Sequence, residues 1–257
     1  MEKAKLKFIR SLEQKKYRDF HKLFIAEGDK TVREMIASSL ITKCILAKKT
    51  WLEQIPENFL RNVSEIIEIN DKELSQVSFL KTPNQALAIA QIPHYSLDIT
   101  ELTDGLSLYL DGVQDPGNMG AIIRLADWFG IRHVLCGKGC ADPFSPKTVQ
   151  ATMGAIIRVK TYNADETFFR KLKKRQPDFP VFGTFLEGEN LYNTPVSNKA
   201  VIVMGNESKG ISEEVAQHIN RHLFIPQYPS DGQTSESLNV ATAAAIVCAE
   251  FRSRDQC

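Results

Sequence analysis

The strongest constraint on the fold is a regular alternation of short apolar runs with helical segments, which begins at Leu106 and continues to Phe251. The strand-like runs lie at residues 106–110, 133–136, 157–160, 180–186, 200–204 and 223–226. The helical segments lie at residues 119–129, 146–155, 165–175, 213–219 and 240–251. Because strands that alternate with helices pair mainly in parallel, this part of the chain predicts an α/β fold with a parallel sheet and helices on both faces. In such a fold the ligand site lies beyond the carboxyl ends of the strands.

The first 93 residues show a second, shorter alternation. Predicted strands lie at residues 23–26, 42–47, 65–69 and 86–92, and predicted helices include 3–20, 49–60 and 71–79. The next segment, 94–105, is polar and has no clear period, which is typical of a linker. We therefore expect a small α/β domain at residues 1–93, a linker at 94–105 and a larger domain at 106–257.

Composition argues against several other classes of protein. The 257 residues are 43% hydrophobic and 25% charged, as in ordinary globular proteins, and no run approaches the roughly 20 apolar residues of a membrane-spanning helix. Since Met1–Arg10 is charged rather than signal-like, we expect a cytoplasmic protein without a membrane segment. Five cysteines without CxxC or Cys/His metal spacing argue against a disulfide framework and against a zinc site, so no metal is expected.

Positive charge is concentrated near the amino terminus. Residues 1–50 carry 13 Lys and Arg against 6 Asp and Glu, although the net charge of the whole chain is +1. A basic face attracts a phosphate backbone by electrostatics alone. An exposed lysine-rich amphipathic helix that binds no ligand has the same composition, so charge leaves both interpretations open.

Three loops that follow predicted strands are dense in Gly, Asn, Ser and Glu. They comprise residues 111–120, residues 204–210, and Ile225-Pro226 with the later segment 235–239. Each loop alone is also compatible with a tight turn and a helix cap. The sequence has no GxGxxG after the first strand of either half, and it has no GxxxxGK[ST], GxSxG or HExxH, which disfavours Rossmann and P-loop nucleotide sites and hydrolase or zinc-peptidase sites.

Asn118 and Arg124 lie six residues apart at the start of a predicted helix. A helix amino terminus attracts an anion, so Arg124 is a candidate phosphate clamp. The flanking residues of that helix are apolar, and Arg124 could instead pair with a buried carboxylate such as Glu207.

Taken together and in this order, the three loops resemble the motifs of the SpoU-type, TrmH-like ribose 2′-O-methyltransferases of the SPOUT superfamily. The residues that carry the resemblance are LDGVQDPGNMGAIIRLADWFG at 110–130, VIVMGNESKGI at 201–211, and Ile225-Pro226 followed by ESLNVA at 236–241. Residues 22–35 and 82–93 resemble the opening and the last strand of the small substrate-binding domain, similar to ribosomal protein L30e, that many family members carry.

The resemblance implies a deep trefoil knot in the catalytic domain, here at about residues 204–251. It also implies that S-adenosylmethionine binds bent within the knot, held largely by main-chain groups. On this basis the pocket residues are expected to be Thr184, Phe185, Gly205, Ile225 and Leu238. The loop at 227–235 is longer than the family pattern, which puts the pocket wall there in doubt, and Thr152 stands where a Ser is usual.

In this family a ribose 2′-oxygen attacks the methyl group of the cofactor, and Arg124 matches the proposed catalytic arginine. A guanidinium stays protonated in proteins, so we expect Arg124 to hold a phosphate and to stabilise negative charge rather than to act as a base. Asn118 and Asn239 match positions that orient this arginine and the cofactor loop. Glu207 would fix the arrangement, and Ser237 would form a hydrogen bond nearby.

The expected partners are RNA and a second copy of the chain. Ribosomal RNA is the first choice and transfer RNA stays open, because the L30e-like domain suggests recognition of structured RNA. The expected phosphate contacts are Lys3, Lys5, Lys7, Arg10, Lys15, Lys16 and Arg18. The closing helix is apolar on nearly every side, which favours a homodimer over a buried helix of a monomer. A non-catalytic knotted RNA-binding protein and an unrelated nucleotide-dependent enzyme are the alternatives.

Overall fold

The computed structural model describes residues 1–228 and 237–254, and the chain divides into two units. The first unit contains residues 1–94 together with 142–157. The second contains residues 95–141 together with 158–257. The domain boundaries expected from the sequence stay a prediction. The inclusion of 142–157 in the first unit has no counterpart in the sequence pattern.

Helices and strands follow one another along the described residues, mostly in alternation. Up to residue 94 they are α1 (Lys3–Ser11), α2 (Lys15–His21), β1 (Leu23–Glu27), α3 (Asp29–Ile36), β2 (Thr42–Ala47), α4 (Lys49–Leu52), α5 (Glu57–Leu60), β3 (Glu65–Glu68), α6 (Asp71–Val77) and β4 (Ala86–Gln91). After it they are α7 (Ile99–Thr103), β5 (Leu106–Leu110), α8 (Pro116–Trp128), β6 (His133–Cys136), α9 (Pro146–Ala151), β7 (Lys160–Asn163), α10 (Thr167–Arg175), β8 (Val181–Asn190), β9 (Ala200–Met204), α11 (Glu213–Ala216), β10 (Arg221–Phe224) and α12 (Val240–Ser253).

The first unit is built on a four-stranded sheet in the order β1-β4-β2-β3. β4 runs antiparallel to β1 and β2, whereas β2 and β3 are parallel. We call residues 3–21, which contain α1 and α2, the first helical region. Its residues Ile9 and Leu12 pack into a buried cluster with Ile25, Leu46 and Leu74. Helix α9 packs on β1, which explains why its segment belongs to this unit.

The prediction of a single helix at residues 3–20 is wrong, because the helix is interrupted between α1 and α2. The guanidinium of Arg18 donates to the carbonyl oxygens of Leu12 at 2.8 Å and Glu13 at 2.6 Å. These carbonyls lie at the end of α1, where no further turn of helix satisfies them. A side chain from the next helix therefore stabilises the break.

Three other predicted elements differ from the structure. The helix predicted at 49–60 is interrupted after α4, and Pro56 is the N-cap of α5, because proline cannot continue a preceding helix. The strand predicted at 157–160 is wrong: residues Ala155–Ile157 form a 3₁₀ turn, and β7 begins at Lys160. The segment 94–105 contains α7, whose Ile99 and Leu102 are buried.

The second unit is built on a six-stranded sheet in the order β10-β8-β9-β5-β6-β7, and all its strand pairs are parallel. All residues of the central strands β5 and β9 are buried, as expected for strands covered on both faces. The predicted parallel α/β architecture of this region is therefore confirmed.

Helix α12 packs along α8, and the Arg252 guanidinium donates to the Phe129 carbonyl oxygen at 2.8 Å. The predicted knot segment, 204–251, includes residues 229–236, which lie outside the described residues. Among the described residues, no helix has both the length and the apolar character needed to cross a bilayer.

Candidate functional site

The loops after β5 and β9 leave neighbouring strands at the same edge of the parallel sheet. Leu110, the last residue of β5, is in register with Met204, the last residue of β9. Adjacent strands lie about 4.8 Å apart, so the loops that begin at Asp111 and Gly205 start side by side. The polar segments at 111–120 and 204–210 are thereby brought together.

Two hydrogen bonds fasten these loops to each other. The side-chain nitrogen of Asn206 donates to the Gly112 carbonyl oxygen, and the Ser212 N–H donates to the Asp111 carboxylate, both at 2.7 Å. Asn206 Oδ1 also accepts from the Ser208 N–H at 2.9 Å, which folds the second loop back on itself. Asp111 is only 8% exposed. Neither Asp111 nor Asn206 has a predicted role from the sequence, although both lie within two residues of a buried strand end.

Glu207, Asn118 and Asn239 form a chain of side-chain hydrogen bonds that spans three loops. The Asn118 Nδ2 group donates to Glu207 Oε1 at 2.7 Å, and the Asn239 Nδ2 group donates to Asn118 Oδ1 at 3.0 Å. The Asn118 amide is thus engaged at both its nitrogen and its oxygen, which fixes the orientation of the group. The structure therefore brings together three of the five residues predicted to be catalytic.

Helix caps hold both asparagines in place. Asp115 caps α8 by accepting from the Asn118 N–H at 2.8 Å, and Pro116 occupies the first helical position, where a missing N–H costs nothing. Asn239 caps α12, since its Oδ1 accepts from the Ala241 N–H at 3.0 Å and the Thr242 N–H at 3.3 Å. The local sequence that starts each helix thus also positions a site residue.

Arg124 lies outside this chain of hydrogen bonds. Six residues advance about 9 Å along a helix, so Arg124 lies well beyond Asn118 on α8. The Arg124 side chain is exposed, and no described residue forms a hydrogen bond or ion pair with it. Pairing with Glu207 is not what the structure shows, since the Glu207 carboxylate accepts from Asn118 instead. The donors of Arg124 are therefore available to a ligand.

The third motif is only partly described. Most of the 227–235 loop and Glu236 lie outside the described residues. Ser237 is exposed and has no hydrogen bond to a described residue, so the structure does not bring it into contact with Asn118 or Glu207. Leu238 is 48% exposed.

Four of the five residues predicted to line a cofactor pocket follow three adjacent strands of the sheet. Thr184 and Phe185 extend β8 beyond its pairing with β9, Gly205 follows β9, and Ile225 follows β10. The strand order β10-β8-β9 makes these three strand ends neighbours. The fifth residue, Leu238, lies close to the start of α12.

β8 is irregular where these residues lie. His222 of β10 is in register with Gly183, but the next residue, Leu223, is in register with Glu189. Residues 184–188 consequently have no counterpart on β10. Gly188, at φ +147°, lies at the end of this bulge. The position requires glycine, because a Cβ there would lie 2.6 Å from the His222 carbonyl oxygen.

These residues fit S-adenosylmethionine in their chemistry. Phe185, Ile225 and Leu238 offer apolar surface for an adenine ring. The half-buried Thr184 hydroxyl makes two long contacts, at 3.4 Å to the Val203 carbonyl oxygen and at 3.8 Å to the Met204 sulfur. Gly205 has a structural reason to lack a side chain, because a Cβ there would lie 2.4 Å from the Gly210 carbonyl carbon. The loop at 205–210 thus closes tightly, with no room for a side chain at Gly205.

Cys140 lies near the same strand ends but is not suited to act as a nucleophile. Its thiol donates to the Leu110 carbonyl oxygen at 3.2 Å, and burial raises the pKa of the thiol above its usual value. Only the thiolate is a good nucleophile, so Cys140 serves as a packing residue. No group of three or more metal-binding side chains occurs within residues 1–228 and 237–254.

Comparison with known proteins matches both units of the chain. Residues 105–249 match the sequence model of the SpoU rRNA Methylase family. Residues 3–88 match that of the MRM3-like substrate binding domain. The two matches together cover the regions in which the resemblance was found, except for residues 89–93.

Individual relatives match over nearly the full length. The 23S rRNA (guanosine(2553)-2′-O)-methyltransferase RlmP of Bacillus subtilis is 32% identical over 96% of this chain and 96% of its own length. A TrmH-family RNA methyltransferase structure from Porphyromonas gingivalis is 39% identical, with a TM-score of 0.86 and 99% coverage of both chains. An AdoMet-bound rRNA methyltransferase from Sinorhizobium meliloti is 30% identical, with a TM-score of 0.86 over 98% of this chain and 95% of that one.

These matches confirm the predicted fold type, enzyme class and cofactor. The roles of individual site residues are not tested by them and stay predictions. The chain belongs to the SpoU rRNA methylase family of S-adenosylmethionine-dependent RNA 2′-O-methyltransferases.

Proposed function

We propose that this chain methylates a ribose 2′-hydroxyl of large-subunit ribosomal RNA. The observation that carries the proposal is the chain of hydrogen bonds between Glu207, Asn118 and Asn239 at the start of α8. Arg124 lies farther along the same helix, and no described residue pairs with it. The full-length similarity to RlmP, which is named for a 23S rRNA guanosine, favours ribosomal RNA over transfer RNA. A ribosomal RNA substrate would also agree with the cytoplasmic location expected from the sequence.

When bound, S-adenosylmethionine supplies a methyl group on a positively charged sulfur. Thr184, Phe185, Gly205, Ile225 and Leu238 are the residues that would hold it at the carboxyl edge of the sheet. A pocket formed largely by main-chain and apolar groups orients a ligand by shape, with few polar contacts. The remaining work of the site is to position the RNA ribose and to stabilise the charge that its oxygen develops.

Arg124 is the group that meets the RNA in this proposal. The 2′-hydroxyl loses its proton as it is methylated, and a guanidinium cannot accept that proton because it stays charged. Arg124 instead donates hydrogen bonds to a phosphate of the nucleotide and stabilises negative charge on the 2′-oxygen. The phosphate or a water molecule receives the proton.

Glu207, Asn118 and Asn239 act as positioning residues. Their hydrogen bonds tie the start of α8 to the loop after β9 and to the start of α12. A shift of any of these loops would move Arg124 relative to the pocket residues. Ser237 lies two residues before Asn239, and we assign it a hydrogen bond to the bound substrate.

A homodimer is part of the proposal. Trp128 is 85% exposed on α8, and α12, which packs along α8, presents the partly exposed apolar residues Ala245 and Ile246. An exposed apolar patch of this kind is typical of a protein interface. Trp128 lies four residues after Arg124, on the same side of the helix, so a partner that covers Trp128 would adjoin Arg124.

The experiment that tests the function is transfer of labelled methyl from S-adenosylmethionine to ribosomal RNA that lacks the modification. The product is mapped at nucleotide resolution for wild type, Arg124→Ala and Arg132→Ala. Arg132 is a matched control because it is exposed and lies before β6, at the opposite edge of the sheet. We expect one 2′-O-methylated nucleotide, at least about a 10²-fold loss with Arg124→Ala, and wild-type activity with Arg132→Ala.

The outcomes separate the alternatives. Cofactor binding without transfer to any RNA would favour a non-catalytic RNA-binding protein. Failure to bind S-adenosylmethionine would contradict the pocket proposed at the carboxyl edge of the sheet. Full activity of Arg124→Ala would remove Arg124 from the mechanism while leaving the reaction intact.

A further inference from the structure

The first helical region presents an aromatic side chain to solvent. Phe20, on α2, is 80% exposed. Its ring contacts the His21 ring edge-to-face at 4.8 Å between centroids, and His21 in turn contacts Phe8 of α1 at 5.1 Å. This row of rings holds α1 and α2 side by side and supports Phe20 from one side. The other side of the Phe20 ring is open.

Exposed lysines lie on the same two helices as this ring. Lys16 lies one helical turn before Phe20, and its ammonium group is 4.8 Å from the Tyr17 ring centroid. Lys7, Lys15 and Lys16 are exposed, and no described residue forms an ion pair with them. We call Lys7, Lys15, Lys16, Tyr17 and Phe20 the α1–α2 surface.

Three other cations of this region are already engaged within the protein. Arg18 is buried against Asp142, Arg10 donates to the Ser78 carbonyl oxygen at 2.9 Å, and Lys5 pairs with Glu65. Arg18 and Lys5 are therefore not free for phosphate contacts, contrary to the expectation from charge alone. Lys3, Lys7, Lys15 and Lys16 stay exposed and have no ion-pair partner among the described residues, and Lys16 is the one that lies a helical turn from Phe20.

This combination of groups discriminates between classes of partner. Lysine is depleted in protein–protein interfaces, so a ring flanked by unpaired lysines is a poor protein-docking site. Sites for single-stranded nucleic acid combine cations that follow the backbone with aromatic rings on which bases stack. A base inside a duplex has no free face, so stacking on Phe20 requires an unpaired nucleotide.

We infer that the α1–α2 surface binds unpaired nucleotides of the RNA substrate, with a base stacked on Phe20 and phosphates held by Lys7, Lys15 and Lys16. The inference rests on the proposed function for the identity of the RNA. It adds a recognition site on the first unit, made of groups that the methyl-transfer site does not use. It also predicts that the RNA is unpaired where it meets this surface.

The first test is binding of the full chain to a labelled oligoadenylate strand, alone and in duplex with oligouridylate. Phe20→Leu removes the aromatic face and is expected to weaken single-strand binding about tenfold, with little effect on the duplex. Phe20→Trp restores an aromatic face and is expected to bind as wild type does. Ile41→Ala is the control for an exposed apolar side chain of the same unit, because Ile41 is 53% exposed.

The second test is the salt dependence of the same binding. Lys16→Ala should lower the slope of log affinity against log salt by roughly 0.7, the value for one phosphate contact on a single strand. Lys43→Ala is the matched control, since Lys43 is exposed on β2 and is not part of the surface. An unchanged slope with Lys16→Ala would contradict the assigned phosphate contact.

Methyl transfer distinguishes failure of this inference from failure of the proposed function. Phe20→Leu should raise the KM for ribosomal RNA and leave kcat unchanged. If wild type methylates RNA while Phe20→Leu keeps both its KM and its oligoadenylate affinity, the surface is wrong and the function stands. If wild type transfers no methyl group while Phe20→Leu loses single-strand binding, the function is wrong and the surface stands. No binding of wild type to oligoadenylate would also overturn the inference.

Discussion

Arg18 on α2 and Arg124 on α8 are arginines of two different units that have opposite surroundings. Arg18 is 2% exposed, and its guanidinium donates to the Asp142 carboxylate and to the Leu12 and Glu13 carbonyl oxygens. Arg124 is exposed, and no described residue pairs with it. The same side chain thus completes a fold in one region and is left available to a ligand in the other.

The difference shows that an arginine's role follows from how its donors are satisfied. A guanidinium has five N–H donors, and each one that a protein acceptor occupies is lost to a phosphate. The Arg18 donors are occupied by three acceptors in a site closed to water. Arg124 keeps its donors in solvent, at a small cost in desolvation when a phosphate binds. Charge and helical position do not separate the two cases.

The largest expected effect comes from Arg18→Ala. Removing one partner of a buried pair leaves an uncompensated charge on Asp142 and two unsatisfied carbonyl groups, which should lower the free energy of unfolding by about 3 kcal/mol or more. Chemical denaturation of the variant measures this loss. At a temperature where the variant is folded, and with saturating RNA, kcat should match wild type.

Arg124→Ala is the matched variant and should give the reverse result, with unfolding free energy within about 0.5 kcal/mol of wild type and kcat strongly reduced. An Arg18→Ala protein as stable as wild type would show that the Arg18–Asp142 pair contributes little. The contrast between the two arginines would then fail.

Much of the second unit could be predicted from the sequence. The strands at 106–110, 133–136 and 200–204 were placed correctly because fully buried parallel strands appear as continuous apolar runs. The three polar loops could be predicted to meet, because the carboxyl ends of parallel strands share one edge. Arg124 could be singled out from its place near the start of a helix, whereas the roles predicted for Glu207, Ser237 and Asn239 came from the resemblance.

Contacts between residues distant in sequence could not be predicted. Asn206 bonds to Gly112 across 94 residues, and Asp111 to Ser212 across 101, so no local pattern reveals either contact. The break between α1 and α2 depends on Arg18, whose interactions include Asp142, 124 residues away. The periodicity of apolar residues indicates which face of a helix or strand is buried, but it does not indicate which distant residue packs or bonds there.

The second prediction tests whether the asparagine chain supports Arg124. Asn118→Asp keeps the size of the side chain and the oxygen that accepts from Asn239, but it replaces the donor to Glu207 by a second carboxylate. Two carboxylates at that distance repel, so we expect kcat to fall about tenfold at neutral pH. The activity of the variant relative to wild type should recover as pH falls, because protonation of one carboxyl restores a donor.

Asn239→Ser is the control for this change. It keeps a side-chain oxygen that can cap α12 and removes the amide donor to Asn118, without adding a group that titrates. Its kcat loss should be smaller and should not recover on acidification. If both variants share the same pH profile, the contact between Asn118 and Glu207 does not position the site.

The smallest expected effect comes from Lys5→Ala, which removes an exposed ion pair of the region that contains Arg18. The hydrogen bond from Lys5 holds the pKa of the Glu65 carboxyl below its usual value. Glu65 is half exposed, however, so solvent screens the pair and the expected loss of unfolding free energy is about 0.5 kcal/mol or less. Since a depressed carboxyl pKa adds stability above the unfolded-state pKa, this small difference should vanish as pH falls through the folded-state pKa of Glu65. Chemical denaturation of wild type and Lys5→Ala at neutral and acid pH measures this difference in unfolding free energy. A loss as large as that of Arg18→Ala would mean that solvent exposure does not distinguish a weak ion pair from a strong one in this unit.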